Sequence, residues 1–513
     1  VPIRKLVSLG RASALAEGRV KLLKLPSGQR FACVRRGASV DVLDDRCPHE
    51  GHPLSMGSVR DGILTCPWHN WKFALDSGAC VAGGESARRY EAEIHGDEVF
   101  VDLRSDRADL VAVARLDLER ALREGDLGAA VRVGLRWSAA IEGDLRPIRA
   151  AIARSVAAAC DRRLGDAVPA IAAIESIART RALDDAEQIA VAAQAAIDEI
   201  HGRPPVPWPA RCTGSIDAPE PFLEDLLEER RPSAIARAVG AAADPRSIAR
   251  RWFLPFLSTK LWDRGDALPR IAATIEIVDD AEPEPFLAAV ASTLAWAVAE
   301  SDLPSFRETR AGLVTATTIE PGTRHLEGPI DLRGPDAVSS MIAALRAGTS
   351  PLDLLDAATV AALDRLARYD LTWSSRAEVT TNVRDAARPF LFARCARDLL
   401  ARGASHERLA VAHAVQAAGL LAKLRRREGG RSLPPVDQVL AIRSLLAGGP
   451  ARDLAARATI LGALLDEARL HPDRAPVVAA ALAKVVAEPP PSLARAAAAA
   501  TRHVTTGPPP EDD

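Results

Sequence analysis

Over the first hundred residues, hydrophobic side chains recur in short alternating runs separated by turn signals. Val20 to Leu25 reads as a strand. Ser27-Gly28 turns it into a second, Arg30 to Arg35, and Arg36-Gly37 turns that into a third, Ala38 to Leu43. Asp61-Gly62 is a hairpin signal ahead of Ile63-Leu64-Thr65. Trp71 to Leu75 leads into the turn Asp76-Ser77-Gly78, and Tyr90 to Ile94 and Glu98 to Leu103 flank His95-Gly96-Asp97. The pattern predicts an all-β domain of short antiparallel strands over residues 1–104.

From Ala108 the spacing becomes helical: Leu118, Ala121 and Leu122 share one face, followed by Val131, Leu135 and Ile141. The prediction for the rest is a large all-α region of antiparallel helix pairs. It divides near Pro321 into 108–317 and 318–505, or packs as one unit. Breaks fall at Gly143-Asp144, Pro204 to Pro209, Pro219 to Pro221, Glu282 to Pro285 and Gly429 to Pro435, and residues 506–513 read as a disordered tail. Gly125, Gly348, Gly403 and Gly448-Gly449 each follow a helical run and read as C-terminal caps. Stacked helix pairs would produce such a pattern, and so would an ordinary bundle with glycine caps. The spacing is uneven, 55 residues from Gly348 to Gly403 and 45 from Gly403 to Gly448.

A length of 513 residues implies several domains of ~150 residues each. The chain is 48% hydrophobic and 26% charged, the composition of a globular protein. A net charge of -2 gives no reason to expect a nucleic-acid or membrane partner. Seven of the 66 cationic residues are lysines and the rest arginines, so a single arginine carries little functional weight by itself. The longest apolar stretch, Leu409 to Leu421, is interrupted by His413 and Gln416, and the opening VPIRKLVSLG lacks the apolar core of a secretory signal. The expectation is a cytoplasmic protein. Seven cysteines in a chain of this length do not make a disulfide framework.

One constellation carries chemistry. Cys47-Pro48-His49 is followed, sixteen residues on, by Cys66-Pro67-Trp68-His69. Two thiols and two imidazoles suit structural zinc, or a [2Fe–2S] cluster with two cysteines on one iron and two histidines on the other. Residues 47 and 49 can point the same way from an extended loop, and 66 and 69 have the spacing of a tight turn.

The surroundings favour the cluster. Cys47-Pro48-His49-Glu50-Gly51-His52-Pro53-Leu54-Ser55, and Cys66-Pro67-Trp68-His69-Asn70-Trp71-Lys72-Phe73 with Leu75-Asp76-Ser77-Gly78, closely resemble the Rieske domain family over about residues 1–104. Respiratory members of that family carry a second, disulfide-bonded cysteine in each loop, at positions that fall here on His52 and Trp68. The resemblance is therefore to the ferredoxin and ring-hydroxylating-oxygenase branch. It implies one [2Fe–2S] cluster on Cys47, His49, Cys66 and His69, with a potential near the low end of the Rieske range, roughly −150 mV. It further implies that Gly51 and Pro53 shape the first loop, that His52 lies beside it, and that Trp68 and Trp71 shield the cluster. Cys33 and Cys80 read as packed thiols.

The helical region shows no comparable motif. A ring-hydroxylating oxygenase would add a mononuclear iron held by two histidines and a carboxylate. Asp198-Glu199-Ile200-His201 lacks a second histidine. His406 and His413 lie two helical turns apart, Glu467 and His471 are four apart, and the loop Thr323 to Leu332 carries Arg324, His325 and Glu327. His406, His413 and His325 are the candidates for a second site holding further iron or a small-molecule substrate. No dinucleotide fingerprint or P-loop is found, and Gly83-Gly84 reads as a turn. The leading expectation is one-electron transfer to and from a redox partner protein, a reductase or an oxygenase. The alternatives are an oxidative enzyme complete in this chain and a helical scaffold with a structural or redox-sensing cluster.

Overall fold

The computed structural model describes residues 6–103, 107–159, 165–203, 253–277, 289–290, 293, 306–332, 335–372, 382–403, 405–423, 433, 436–444 and 451–487. The expected breaks at 204–209, 219–221 and 282–285, most of 429–435, the Gly448-Gly449 cap and the 506–513 tail lie outside these residues. The chain forms two compact units, Val1–Ala151 and Ile152–Asp513.

The described residues of the first unit form three antiparallel sheets. One runs β1 (Leu6–Arg11), β11 (Glu98–Asp102), β10 (Ala92–His95). The second runs β2 (Val20–Lys24), β3 (Arg30–Arg36), β4 (Ser39–Asp44), β9 (Arg89–Tyr90). The third runs β5 (Ser58–Arg60), β6 (Ile63–Thr65), β7 (Lys72–Ala74), β8 (Cys80–Ala82). Alternation along β3 explains its nearly continuous apolar run. Phe31 and Cys33 enter one core with Leu9, Leu15, Val99 and Val101. Ala32 and Val34 enter a second with Leu54, Leu64, Phe73 and Leu75. That second core lies directly under the two cysteine–histidine loops, since Cys47 and Cys66 are part of it. The sequence pattern misses β1, which is interrupted by a bulge between Ser8 and Gly10, and the three-residue strands β5 and β8.

The first helices belong with the sheets. α1 (Arg107–Glu124) ends at Gly125, whose φ of 76° suits glycine, and Asp126 caps α2 (Leu127–Ala140) by accepting the Ala129 N–H at 2.8 Å. The Asp117 carboxylate on α1 accepts from Ser86 N–H at 2.7 Å and from its Oγ at 2.9 Å. Arg120 donates to the Cys80 carbonyl at 2.9 Å, and Arg132 on α2 to Glu85 at 2.6 Å. These bonds fasten α1 and α2 to the turn between β8 and β9. The compact unit therefore runs past the boundary that the change of periodicity at 104 suggests.

The described part of the second unit is helical. Its packing is not a linear stack of consecutive pairs. Ser176, on the helix Ala167–Ala178, donates to Asp466, on Ala451–Leu470, at 2.6 Å across 290 residues of sequence. Gly462 lets those two helices approach, because a Cβ there would stand 2.6 Å from that of Ala173. Early and late helices thus share one bundle. Gly348 and Gly403 end their helices at φ 82° and 66°. Residues 319–332 are irregular apart from a bridge between Arg324 and Thr349. Among the described residues no helix is long and apolar enough to cross a membrane.

Candidate metal centre

The first loop joins β4 to β5 and the second joins β6 to β7. The two share one backbone pattern. In the first, Cys47 N–H donates to the His52 carbonyl and Gly51 N–H to the Cys47 carbonyl, both at 2.8 Å. In the second, Cys66 N–H donates to the Trp71 carbonyl at 2.8 Å and Asn70 N–H to the Cys66 carbonyl at 3.1 Å. In both, the residue four after the cysteine is left-handed: Gly51 at φ 75° and Asn70 at φ 58°. Glycine adopts that conformation at no steric cost, and asparagine tolerates it. Sequence reasoning singles out Gly51 but not Asn70; the shared offset from each cysteine is the signal that would have found it.

Asp45 anchors the first loop. Its buried carboxylate accepts the Ser55 N–H at 2.7 Å and Arg30 Nε at 2.9 Å, tying both ends of the loop to β3. Pro53 bridges to Arg46 across the loop.

The side chains sort by depth. Cys47 and Cys66 are buried and adjacent, and burial pushes the Cys47 thiol up to about 11, with the Cys66 thiol adding to the rise. The backbone amides of His49 and Glu50 act the other way and lower it. A metal would take both sulfurs as thiolates, displacing their protons. His49 and His69 lie outward of them, His69 exposed and His49 half-buried. Their Nδ1 atoms are 3.0 Å apart and the rings meet edge to face at 4.6 Å. Two buried sulfurs beneath two paired imidazoles, both pairs drawn from the same two loops, fit the donor set of a Rieske [2Fe–2S] cluster.

Trp71 stacks on the His49 ring, centroids 4.6 Å apart and planes 17° apart. Its other neighbour is the Gly83-Gly84 turn. A Cβ on Gly83 would stand 2.5 Å from the indole, so the pair that reads as a plain turn is also the floor on which this indole packs. Trp68 stands 61% exposed and stacks on His52 at 5.3 Å, flanking the site at the surface. Cys33 and Cys80 are buried thiols raised by burial to about 12 and about 11.

Fold and site together define a small antiparallel β module with a two-loop metal-binding tip. Residues 5–92 match the model of the Rieske [2Fe-2S] domain. The ferredoxin component of the p-cumate 2,3-dioxygenase system of Pseudomonas putida is 32% identical over 106 residues, which are 20% of this chain and 90% of that protein. Through these residues the chain belongs to the Rieske [2Fe–2S] family, and the domain implies such a cluster. The 3-chlorobenzoate-3,4-dioxygenase oxygenase subunit of Comamonas testosteroni is 44% identical over 63 residues, so the chain spans only 14% of that relative's length. Among solved structures, the ferredoxin of carbazole 1,9a-dioxygenase from Nocardioides aromaticivorans is 24% identical, covering 20% of this chain and 99% of its own, with a TM-score of 0.19.

The candidates for a second site are not brought together. His406 is exposed just ahead of the helix Glu407–Lys423, whereas His413 within it is 1% exposed, against the edge of Phe392. His325 is exposed and pairs with Asp353 at 3.1 Å. Among the described residues none of the three joins a group of three donor side chains. Glu467 does lie near Asp356 and His471, but arginines already occupy its oxygens.

His413 has a different consequence. Burial alone lowers it to about 4 from 6.5, and its Nε2 has no hydrogen-bond partner among the described residues. The folded state binds this proton less readily than the unfolded one. Stability is therefore fully present above pH 6.5 and falls as pH drops from 6.5 towards about 4. H413F should flatten that part of the stability curve in urea titrations of the full-length chain; an unchanged slope would refute the assignment.

Proposed function

We propose that the chain moves single electrons between a reductase-type donor and an oxygenase-type acceptor, with Cys47 and Cys66 on one iron and His49 and His69 on the other. The observation that carries this reading is the depth asymmetry of the four side chains, thiols buried and imidazoles outward. The cluster, when bound, supplies one-electron oxidation and reduction, and neutral imidazoles on one iron set its potential above that of an all-cysteine cluster. The buried thiol pair keeps water from the sulfur end. The exposed edge of His69, flanked by Trp68 and Glu50, gives a protein partner its shortest approach. Similarity over 90% of a ferredoxin component supports a carrier role. The helical region would then serve as a fused docking or scaffold element.

The test is iron per chain together with electron paramagnetic resonance of the dithionite-reduced protein. Two irons and a rhombic Rieske-type signal are expected. Zinc in place of iron would remove the redox reading, and irons beyond two would show a further centre.

A further inference from the structure

We propose that Arg136, on α2 and outside the matched residues 5–92, is a positioning residue of the cluster site that raises its reduction potential through the Pro48–His49 peptide. The inference rests on the electron-transfer reading above.

Pro48 lies between Cys47 and His49, so the peptide that joins it to His49 sits inside the first loop. That peptide joins the loop's proline to one of the two histidine ligands, and a guanidinium grips it. Its carbonyl, on Pro48, accepts Arg136 Nη2 at 3.0 Å. A guanidinium seated on a carbonyl inside the loop polarises that peptide and places positive charge beside the ligands. Positive charge there favours the reduced, more negative state of the cluster and raises the potential.

Arg136 is itself held in place. Its guanidinium pairs with Glu85, which is 1% exposed and also takes Arg132 Nε at 2.6 Å. Glu85 follows directly on Gly83-Gly84, the floor under Trp71, and Trp71 carries the His49 ring. The same carboxylate therefore fixes Arg136 against Pro48 and fixes the turn beneath His49. Arg132 shares the carboxylate but has no bond to the loop, which makes it the control.

The experiment compares R136M, R136K and R132M in the full-length chain by iron content, redox titration and electron paramagnetic resonance. At a fixed ambient potential near the midpoint, R136M should lower the reduced-to-oxidised ratio by about threefold to tenfold, tenfold being about 59 mV for a one-electron couple. R136K should fall between wild type and R136M, and R132M should shift less than half as far as R136M. If R136M loses its cluster while R132M keeps it, the positioning role through Pro48 stands. A loaded R136M with the wild-type potential would overturn the inference. So would R132M falling as far as R136M, or both losing iron together, since Glu85 alone would then account for the effect. A wild-type chain that holds two irons but accepts no electron from dithionite sinks the electron-transfer reading instead.

Discussion

H69A is expected to abolish cluster binding: iron falls from two per chain to near none and the signal of the dithionite-reduced protein disappears. Two thiolates and a single imidazole would leave one iron a protein ligand short, at the exposed place of His69. Because His69 is exposed and lies outside the hydrophobic core beneath the loops, the sheets should survive its loss, with far-ultraviolet circular dichroism unchanged. C66S should lose iron as completely but at a larger structural cost, because Cys66 is part of that core and a serine would bury a hydroxyl there. H49A lies between the two, since it also removes the ring stacked on Trp71. Retention of a normal Rieske signal by H69A would show that the ligand set is wrong.

The β module and its loops were legible because their determinants are local. The alternation on β3 and β4, the Asp61-Gly62 hairpin and the fixed spacing within each loop are all short-range features. What supports the loops was not legible. Asp117, Glu85 and Arg136 reach the site across 31 to 88 residues, and the sequence around them is ordinary arginine-rich helix. In a chain whose cations are nearly all arginines, the two that grip Glu85 look no different from those on solvated faces. Helices in the second unit were readable one by one from their apolar faces and glycine caps. Their pairing was not, because it joins Ala167–Ala178 to Ala451–Leu470 through contacts no local pattern encodes. His406 and His413 illustrate the same limit. A two-turn spacing aligns residues only where both lie on the helix, and His406 lies before its first residue.

The second large effect is expected at Glu467, four residues before His471. It is 0% exposed and held in a bidentate grip by Arg397, at 2.8 and 3.0 Å, with Arg474 on one of the same oxygens. Asp356 completes the network, accepting Arg397 at 3.0 Å and Arg474 at 2.6 Å. A metal ion has no place among these carboxylates, because two guanidiniums already neutralise them. E467Q keeps the shape but leaves the two arginines with one fewer anion in a water-poor site. Removing one partner from a buried ion network typically costs about 3–5 kcal/mol. Urea unfolding of the full-length chain, followed by the helical circular dichroism signal, should shift to lower denaturant by a corresponding amount; a loss below about 1 kcal/mol would mean that the arginines re-pair with Asp356 and Asp398. Acid should mimic the substitution. Burial tends to raise this carboxyl, but the hydrogen bonds and charges of Arg397 and Arg474 outweigh it, so Glu467 titrates below its ordinary 4.5. Its contribution is therefore complete above pH 4.5 and lost as pH falls through the lower folded value. That window lies mostly beneath the one set by His413, which separates the two groups: H413F should flatten the stability curve between pH 6.5 and about 4, and E467Q below 4.5.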